Sequence, residues 1–349
     1  MSRYPFNPNG ASTPGSGVYG LLTPVDEAAV ILVPVPFDAT TSYRRGTAGG
    51  PAAILEASRQ VDLFDLQTGR PYEAGIAMLP EDPQFHVWNE AARAAADPVI
   101  AEGGVWPDQP ELAACAEEVD RIGAAVNERV YQTVKAWLDR GRLVGLVGGD
   151  HSTPFGAIQA ASERWPGLGV LHIDAHADLR VAYEGFTWSH ASILHNVLAR
   201  LPGVGALVQV GIRDLCEEEY LAIEAGQGRV WTHFDLRLAE ARAGGQTWAA
   251  QVAEILRPLP DQVYITFDID GLDPVLCPHT GTPVPGGLSF SDAVTLIQAV
   301  VQSGRRIVGF DLNEVAPGPD GDEWDANVGA RMLYKLIGFA LMSQAGARG

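Results

Sequence analysis

The stretch GVLHIDAHAD, residues 169–178, joins a continuous apolar run directly to a turn that is rich in aspartate and histidine. Continuous apolar runs, unlike alternating ones, are typical of strands buried on both faces in a parallel sheet covered by helices. Further runs of this kind recur along the chain: AVILVPV at 29–35, LVGLV at 143–147, ALVQVGI at 206–212, VYITF at 263–267 and RIVGFDL at 306–312. Helices are predicted between them at 51–60, 111–140, 153–164, 190–199, 216–225, 247–257, 290–302 and 324–342. The order predicts an α/β fold with three layers, α/β/α, around a mainly parallel sheet.

The remaining sequence divides into an arm and one domain. Residues 1–28 are rich in Pro, Gly, Ser and Asn and are expected to form an extended arm. We expect three aromatic side chains to pin this arm to the surface: Tyr4, Phe6 and Tyr19. Residues 29–349 contain no Pro/Ser linker and are expected to form a single domain. Within it, six prolines interrupt the alternation of strands and helices between 71 and 110, which predicts an irregular insertion that is a candidate lid or packing surface.

Composition narrows the class of protein and the class of partner. The chain has 349 residues, of which 46% are hydrophobic and 19% charged, as is typical of a folded globular protein. Its formal net charge of −19 repels phosphate backbones and anionic membrane surfaces, so neither a nucleic acid nor a membrane is an expected partner. The three cysteines lack CxxC spacing, and the sequence has neither a signal peptide nor an apolar run of about 18 residues. A cytoplasmic location is therefore expected.

Four chemically active motifs follow four of the predicted strands: GGDHS at 148–152, DAHAD at 174–178, DIDGLDP at 268–274 and NEVAP at 313–317. Because the carboxyl ends of parallel strands share one edge of a sheet, we expect these motifs to converge there. The side chains brought together would be His151, Asp174, His176, Asp178, Asp268, Asp270 and Glu314. So many carboxylates cannot stay ionised together without countercharge, since like charges raise one another's pKa. Carboxylate ligands with a minority of imidazoles suit divalent cations, and the number of ligands favours two ions over one.

The same motifs, with GTPVPGG at 281–287, resemble the signature of the ureohydrolases, the superfamily of arginase and agmatinase. The resemblance covers roughly residues 29–343, and the motifs occur in the family's order. It implies an arginase-like three-layer α/β/α fold, a binuclear manganese site and hydrolysis of a guanidinium or amidine group with release of urea. It also implies a homotrimer or a homohexamer.

Carried over by position, the resemblance implies a role for each site residue. One ion would be held by His151, Asp174, Asp178 and Asp268, and the other by Asp174, His176, Asp268 and Asp270, with Asp174 and Asp268 bridging. Asp178 would pass a proton to the departing amine, and His190 would exchange protons with solvent. Glu314 would bind the guanidinium. Trp188 is expected to contact substrate, because the loop 179–189 aligns with the arginase loop that reads the α-amino and α-carboxylate groups. That loop is apolar and aromatic here, which makes L-arginine a poor candidate.

The identity of the substrate stays open among small cationic guanidino compounds. Segments 5–20 and 320–331 resemble the guanidine hydrolase branch of the agmatinase-like proteins, in which nickel is the active ion, so we expect free guanidine as substrate. Agmatine is the second choice, followed by other guanidino compounds such as guanidino-acids. The cofactor expected is two divalent ions per subunit, Ni²⁺ or Mn²⁺, and nickel stands above manganese in the divalent affinity order.

Two readings of another class compete with the enzyme. An inactive ureohydrolase-like partner subunit is expected to have lost at least one of the six ligands, yet all six are present. A single-zinc deacetylase has no use for a second pair of ligands at His176 and Asp270. Several other polar residues are expected to be structural and not catalytic: Asp150, His172, Asp273, His86, His195, His233 and His279.

Overall fold

Eight parallel strands form one sheet at the centre of the computed structural model, which describes residues 6–13, 15–226 and 228–345. The strands are β1 (Val30–Val35), β2 (Ile76–Met78), β3 (Leu143–Gly148), β4 (Leu168–Ile173), β5 (Val204–Ile212), β6 (Val230–Phe234), β7 (Gln262–Asp268) and β8 (Arg306–Asn313). Their order across the sheet is β2-β1-β3-β8-β7-β4-β5-β6, and every pairing between them is parallel. The predicted α/β fold with a parallel sheet is confirmed.

Helices cover both faces of this sheet. They are α1 (Gly50–Ser58), α2 (Pro83–Ala101), α3 (Pro110–Asp139), α4 (Phe155–Arg164), α5 (Ile193–Arg200), α6 (Glu217–Ala225), α7 (Asp235–Ala243), α8 (Trp248–Leu256), α9 (Phe290–Gln302) and α10 (Trp324–Ala345). The core on one face includes side chains of α1, α8, α9 and α10. The core on the other face includes side chains of α2 to α6. The fold therefore has the three layers that the sequence predicts.

The two edge strands were absent from the sequence prediction. Strand β2 has only three residues, and β6 reads VWTHF, in which just the first residue is fully buried. A strand at the edge of a sheet is covered less completely than a central one, so it does not need the continuous apolar run that identifies the other six.

The segment 71–110 is not irregular, and that prediction was wrong. It contains β2 and the 19-residue helix α2, which packs against α3. Two of the prolines that suggested a break, Pro83 and Pro110, occupy the first turn of a helix, where proline loses no hydrogen bond. These two prolines therefore mark where helices begin, whereas Pro98 lies inside α2.

The amino-terminal segment is held by buried contacts. Tyr19 is 1% exposed, its backbone N–H donates to the Ser58 hydroxyl at 2.9 Å, and its own hydroxyl donates to the Ala330 carbonyl at 3.0 Å. The Phe6 ring lies 6.1 Å from the ring of Tyr72. Tyr4 lies outside the described residues. Tyr19 is thus a core residue between α1 and α10.

Strands β3, β8, β7 and β4 are consecutive neighbours in the sheet, and each carries one of the four motifs at its carboxyl end. Convergence of the motifs therefore follows directly from the strand order. Across the described ranges, no helix combines the length and the apolar character that crossing a membrane requires.

Candidate metal centre

Two groups of potential metal ligands lie at this edge of the sheet and share Asp174. The first comprises His151, His172, Asp174 and Asp178, and the second comprises Asp174, His176 and Asp270. Nδ1 of His151 lies 2.9 Å from Asp174 Oδ2, 3.1 Å from Asp178 Oδ2 and 3.5 Å from Asp268 Oδ2. Nδ1 of His176 lies 3.0 Å from Asp270 Oδ2 and 3.5 Å from Asp174 Oδ1. The structure thus brings together all six residues predicted to bind metal.

Backbone amides orient three of the carboxylates. One oxygen of Asp174 accepts from the His176 N–H at 2.6 Å, one of Asp268 from the Asp270 N–H at 2.8 Å, and one of Asp270 from the Ala175 N–H at 3.0 Å. The other oxygen of Asp174 and of Asp268 approaches His151, and the other oxygen of Asp270 approaches His176. The tight turns after β4 and β7 therefore aim carboxylate oxygens at both of these histidines.

Two site residues have a backbone conformation that residues with a side chain rarely adopt. Asp178 has a φ of 55° and Glu314 a φ of 62°, in the left-handed region that glycine prefers. Such strain persists only where the surroundings enforce it, and it occurs often at functional sites. Here it places both carboxyl groups in the cluster.

A chain of two hydrogen bonds orients His151. Its Nε2 lies 2.8 Å from the Thr266 hydroxyl, which itself donates to Asp311 Oδ1 at 2.8 Å. Because the single hydroxyl proton of Thr266 goes to Asp311, the Thr266 oxygen accepts a proton from Nε2. The lone pair of His151 then resides on Nδ1, facing the carboxylates, as a metal ligand requires. Sequence reasoning missed Thr266 and Asp311, since both lie inside strands and in no motif.

His172 is buried and fully hydrogen-bonded, and it belongs to the site. Its Nδ1 lies 3.1 Å from the Gln209 amide nitrogen, and its Nε2 lies 2.8 Å from Asp174 Oδ2. Burial lowers the pKa of His172, against the opposing charge of Asp174. A neutral His172 that accepts from Gln209 donates its single ring proton to Asp174, so it fixes the carboxylate shared by both ligand groups.

The buried carboxyl groups of the cluster lack a compensating positive charge. Burial, reinforced by the charge of Asp174, raises the pKa of Asp178 to about 7. Burial and the charges of Asp270 and Asp174 raise the pKa of Asp268 well above its usual range. Oδ2 of Asp178 is buried and accepts no hydrogen bond from any described residue. Oxygen-rich ligands with two imidazoles, one of them aimed by Thr266, fit divalent cations of intermediate hardness.

Glu314 presents a buried carboxyl group next to the ligands. It is 5% exposed, and its Oε1 accepts from the His151 backbone N–H at 2.9 Å. The Thr280 hydroxyl donates to the Glu314 carbonyl at 2.7 Å and so secures the turn. Burial, then the charge of Asp150, raises the pKa of Glu314 well above its usual range. A cation bound here would relieve that cost.

His190 lies beside the cluster, in surroundings that disfavour its protonated form. Its Nδ1 lies 3.3 Å from the Thr40 hydroxyl, and its backbone N–H donates to the same oxygen at 3.2 Å. Thr40 in turn donates to Asp150 Oδ2 at 3.1 Å, so Asp150 is a hydrogen-bond acceptor as expected. Burial, with the charges of His176 and His151, lowers the pKa of His190 to about 3. No sequence pattern identifies Thr40, which lies in a loop outside the motifs.

Trp188 does not join this group, contrary to expectation. Its ring packs edge-on against Phe155 at 4.8 Å and lies under the Arg200 guanidinium at 4.7 Å. Its Cβ would be 2.8 Å from a Cβ at Gly123 of α3, so the residue is wedged between α3 and α4. The aromatic content of the loop at this position serves packing.

The chain is similar in sequence and in fold to known proteins. The sequence model of the arginase family matches residues 28–338. An N(1)-aminopropylagmatine ureohydrolase of Thermus thermophilus is 34% identical over 324 residues, covering 90% of this chain and 92% of the relative. An agmatinase of Bacillus subtilis is 30% identical and covers 90% of this chain and 93% of its own. The crystal structure of an agmatine ureohydrolase of Thermoplasma volcanium superposes with a TM-score of 0.70, at 25% identity, over 93% of this chain and 94% of that one.

Proposed function

The chain belongs to the arginase family as an agmatinase-like, metal-dependent ureohydrolase, and we propose that its substrate is free guanidine, converted to urea and ammonium. The observation that carries the proposal is the buried Glu314 carboxyl beside the ligand cluster, which offers a planar cation a charged partner next to the metal ligands. Guanidinium is planar and stays protonated at neutral pH, so a carboxylate is its natural partner.

The resemblance implies two ions, one held by His151, Asp174, Asp178 and Asp268 and the other by Asp174, His176, Asp268 and Asp270. The contacts of His151 with three carboxylates support the first set, and the contacts of His176 with Asp174 and Asp270 support the second. When bound, divalent ions supply the countercharge that these carboxylates lack and make water nucleophilic enough to attack an amidine carbon. Ni²⁺ and Mn²⁺ both suit this mixture of oxygen and imidazole.

The chain's own side chains then bind the substrate and move protons. Glu314 keeps one oxygen on the His151 backbone N–H and uses the other for the guanidinium. The carboxyl group of Asp178 passes a proton to the departing nitrogen, and burial, which raises its pKa, favours its taking up that proton. His190 exchanges a proton with solvent. Guanidinium and water thereby yield urea and ammonium, with one C–N bond broken and one C–O bond formed.

The choice among substrates depends on the entrance to the site. Near-complete burial of Glu314 and a wall formed by Tyr183 and His190 favour a substrate without a tail. Agmatine is the second candidate, because relatives named agmatinase and N(1)-aminopropylagmatine ureohydrolase cover most of this chain. An inactive partner subunit is disfavoured because all six ligand residues converge in one cluster.

We also propose a cytoplasmic location and a homotrimer or homohexamer. The three cysteines, Cys115, Cys216 and Cys277, are free, which suits a reducing compartment.

A urea-release screen tests the proposed function. Purified protein is loaded separately with nickel and manganese and assayed on guanidine, agmatine and guanidino-acids. We expect guanidine to have the highest kcat/KM, and a hundredfold preference for agmatine with either metal would reject guanidine. Asp270→Asn should abolish activity, whereas Asp273→Asn, which keeps an oxygen to accept the turn contact from the Val275 N–H, should retain it.

A further inference from the structure

One arginine stands beside the proposed proton shuttle, separated from it by a single aromatic ring. The Arg180 guanidinium lies over the Tyr183 ring, 4.8 Å from its centroid. The Tyr183 ring meets the His190 ring edge-to-face, with centroids 5.8 Å apart and planes at 85°. The Arg180 backbone N–H donates to the Ala191 carbonyl at 3.2 Å, which ties the arginine to the segment that carries His190. Arg180, Tyr183 and His190 thus form one stacked wall.

The charge of Arg180 is only partly compensated. Its nearest carboxylate is Glu219, with Nε and Oε2 separated by 3.6 Å. Glu219 is 3% exposed, and its two oxygens already accept from the backbone N–H groups of Leu179 and Cys216, at 3.0 and 2.9 Å. Within the described part of the chain, the Arg180 guanidinium donates no hydrogen bond, and its side chain is 34% exposed. The donor face of the guanidinium is therefore available to solvent or to a ligand.

The reaction fixes where a substrate tail would lie, a step that rests on the proposed function. The nitrogen that leaves an alkylated guanidinium carries the tail. Asp178 gives that nitrogen its proton, and His190 exchanges protons with solvent, so His190 marks the side of the site that opens to solvent. A tail that leaves toward that side runs along the wall of Tyr183 and Arg180. Free guanidine has no tail and does not approach Arg180.

We propose that Arg180 is a specificity-determining residue that disfavours substrates with a second cationic group at the end of a tail, such as a diamine. Two unit charges about 10 Å apart repel enough to change affinity about twofold to fifteenfold, for effective dielectric constants from 80 to 20. The negative charge of Glu219 offsets part of the Arg180 charge, so the change in affinity is expected toward the lower end of this range. A neutral or anionic tail suffers no such penalty.

The experiment compares two substrates that differ only in the charge of the tail, agmatine and butylguanidine. Their kcat/KM ratio is measured for the parent, for Arg180→Gln and for Arg180→Lys on enzyme loaded with the same metal. We expect Arg180→Gln to shift the ratio about twofold to fifteenfold toward agmatine, and Arg180→Lys, which keeps the charge, to leave it within twofold of the parent. Raising the salt concentration should shift the ratio of the parent in the same direction.

An unchanged ratio in Arg180→Gln, or an equal shift in Arg180→Lys, would overturn the proposal. Arg180→Met, which keeps an apolar stem over Tyr183, replaces Arg180→Gln if the latter does not fold. Calorimetric binding of the same two ligands gives the ratio without turnover. Failure to hydrolyse any guanidino compound would therefore refute the proposed function, while the binding ratio would still decide the role of Arg180.

Discussion

Replacing Thr266 by valine should weaken metal binding without changing any ligand. Valine has the same shape but no hydroxyl, so the change removes the acceptor for Nε2 of His151, 2.8 Å away, and the donor to Asp311. Asp311 keeps the Asn313 side-chain amide at 2.6 Å and the Phe267 N–H at 3.2 Å. The main cost is therefore the orphaned Nε2–H of His151, which is 1% exposed.

The size of the effect follows from that single orphaned donor. A buried donor without a partner costs about 1–3 kcal/mol. Loss of a group that orients a ligating histidine typically reduces metal affinity or activity about 10-fold to 100-fold. His151 also gains freedom to rotate or to place its proton on Nδ1, and an Nδ1–H cannot bind an ion.

The assay is a competitive metal titration against a chromophoric chelator, with thermal unfolding and urea release measured on the same preparations. Ile265→Val is the matched control, because Ile265 is a fully buried neighbour on β7 whose loss of one methylene costs about 0.5–1.5 kcal/mol. We expect weaker metal binding in Thr266→Val alone. Equal metal affinity in Thr266→Val and the parent, in folded protein, would refute the role assigned to the His151–Thr266–Asp311 chain.

Four further outcomes are expected. Removal of divalent metal by a chelator should abolish urea release and lower the Tm, because the clustered carboxylates lose countercharge, and full activity after exhaustive dialysis would contradict this. Glu314→Gln should raise KM and lower kcat together, since the guanidinium loses a charge-assisted bond, and unchanged kinetics would remove Glu314 from the substrate site. His190→Ala should lower kcat about 10²-fold to 10⁴-fold, with partial rescue by imidazole, whereas an unaltered pH profile would argue against a shuttle. The hydrogen bond from Lys335 keeps the pKa of Asp65 below its usual range although burial raises it, so Asp65→Asn should lower the Tm near pH 7. The difference in Tm between the parent and Asp65→Asn should shrink as the pH falls through the pKa that Asp65 has in the folded protein. A difference in Tm that stays constant down to pH 2 would contradict this role of the Asp65 charge.

The parts of the fold that sequence predicted well are those where burial dictates composition. The six inner strands must be apolar on both faces, and their continuous runs identify them. The segment 71–110 misled because proline begins a helix well, as Pro83 and Pro110 do, and because α2 continues through Pro98 although proline disfavours a helix interior. Proline content alone does not give the position of a proline relative to a helix.

In the site, the residues in the turns could be predicted from the sequence, and the residues inside the strands could not. The ligands sit in short motifs at strand ends, where polar side chains stand out against apolar runs. The residues that orient them do not stand out, because Thr266, Asp311 and Gln209 lie inside strands and their partners are distant in sequence. Only the register of neighbouring strands brings them together: Thr266 pairs with Asp311 across β7 and β8, and His172 with Gln209 across β4 and β5.

That register gives a physical reason for polar residues in the middle of the sheet. The chain from Thr232 through Gln209 and His172 to Asp174 begins in the edge strand β6 and ends at the carboxylate shared by both ligand groups. Each buried polar side chain in it has a partner, so its burial carries little penalty. A single break would leave a buried donor or acceptor unpaired and release the Asp174 carboxylate from its orientation. The sheet therefore supports the metal centre through side chains that run across the strands as well as through the turns at the strand ends. Gln209→Leu should weaken metal binding although residue 209 contacts none of the proposed metal ligands. A metal affinity equal to that of the parent would show that the turns alone hold Asp174 in place.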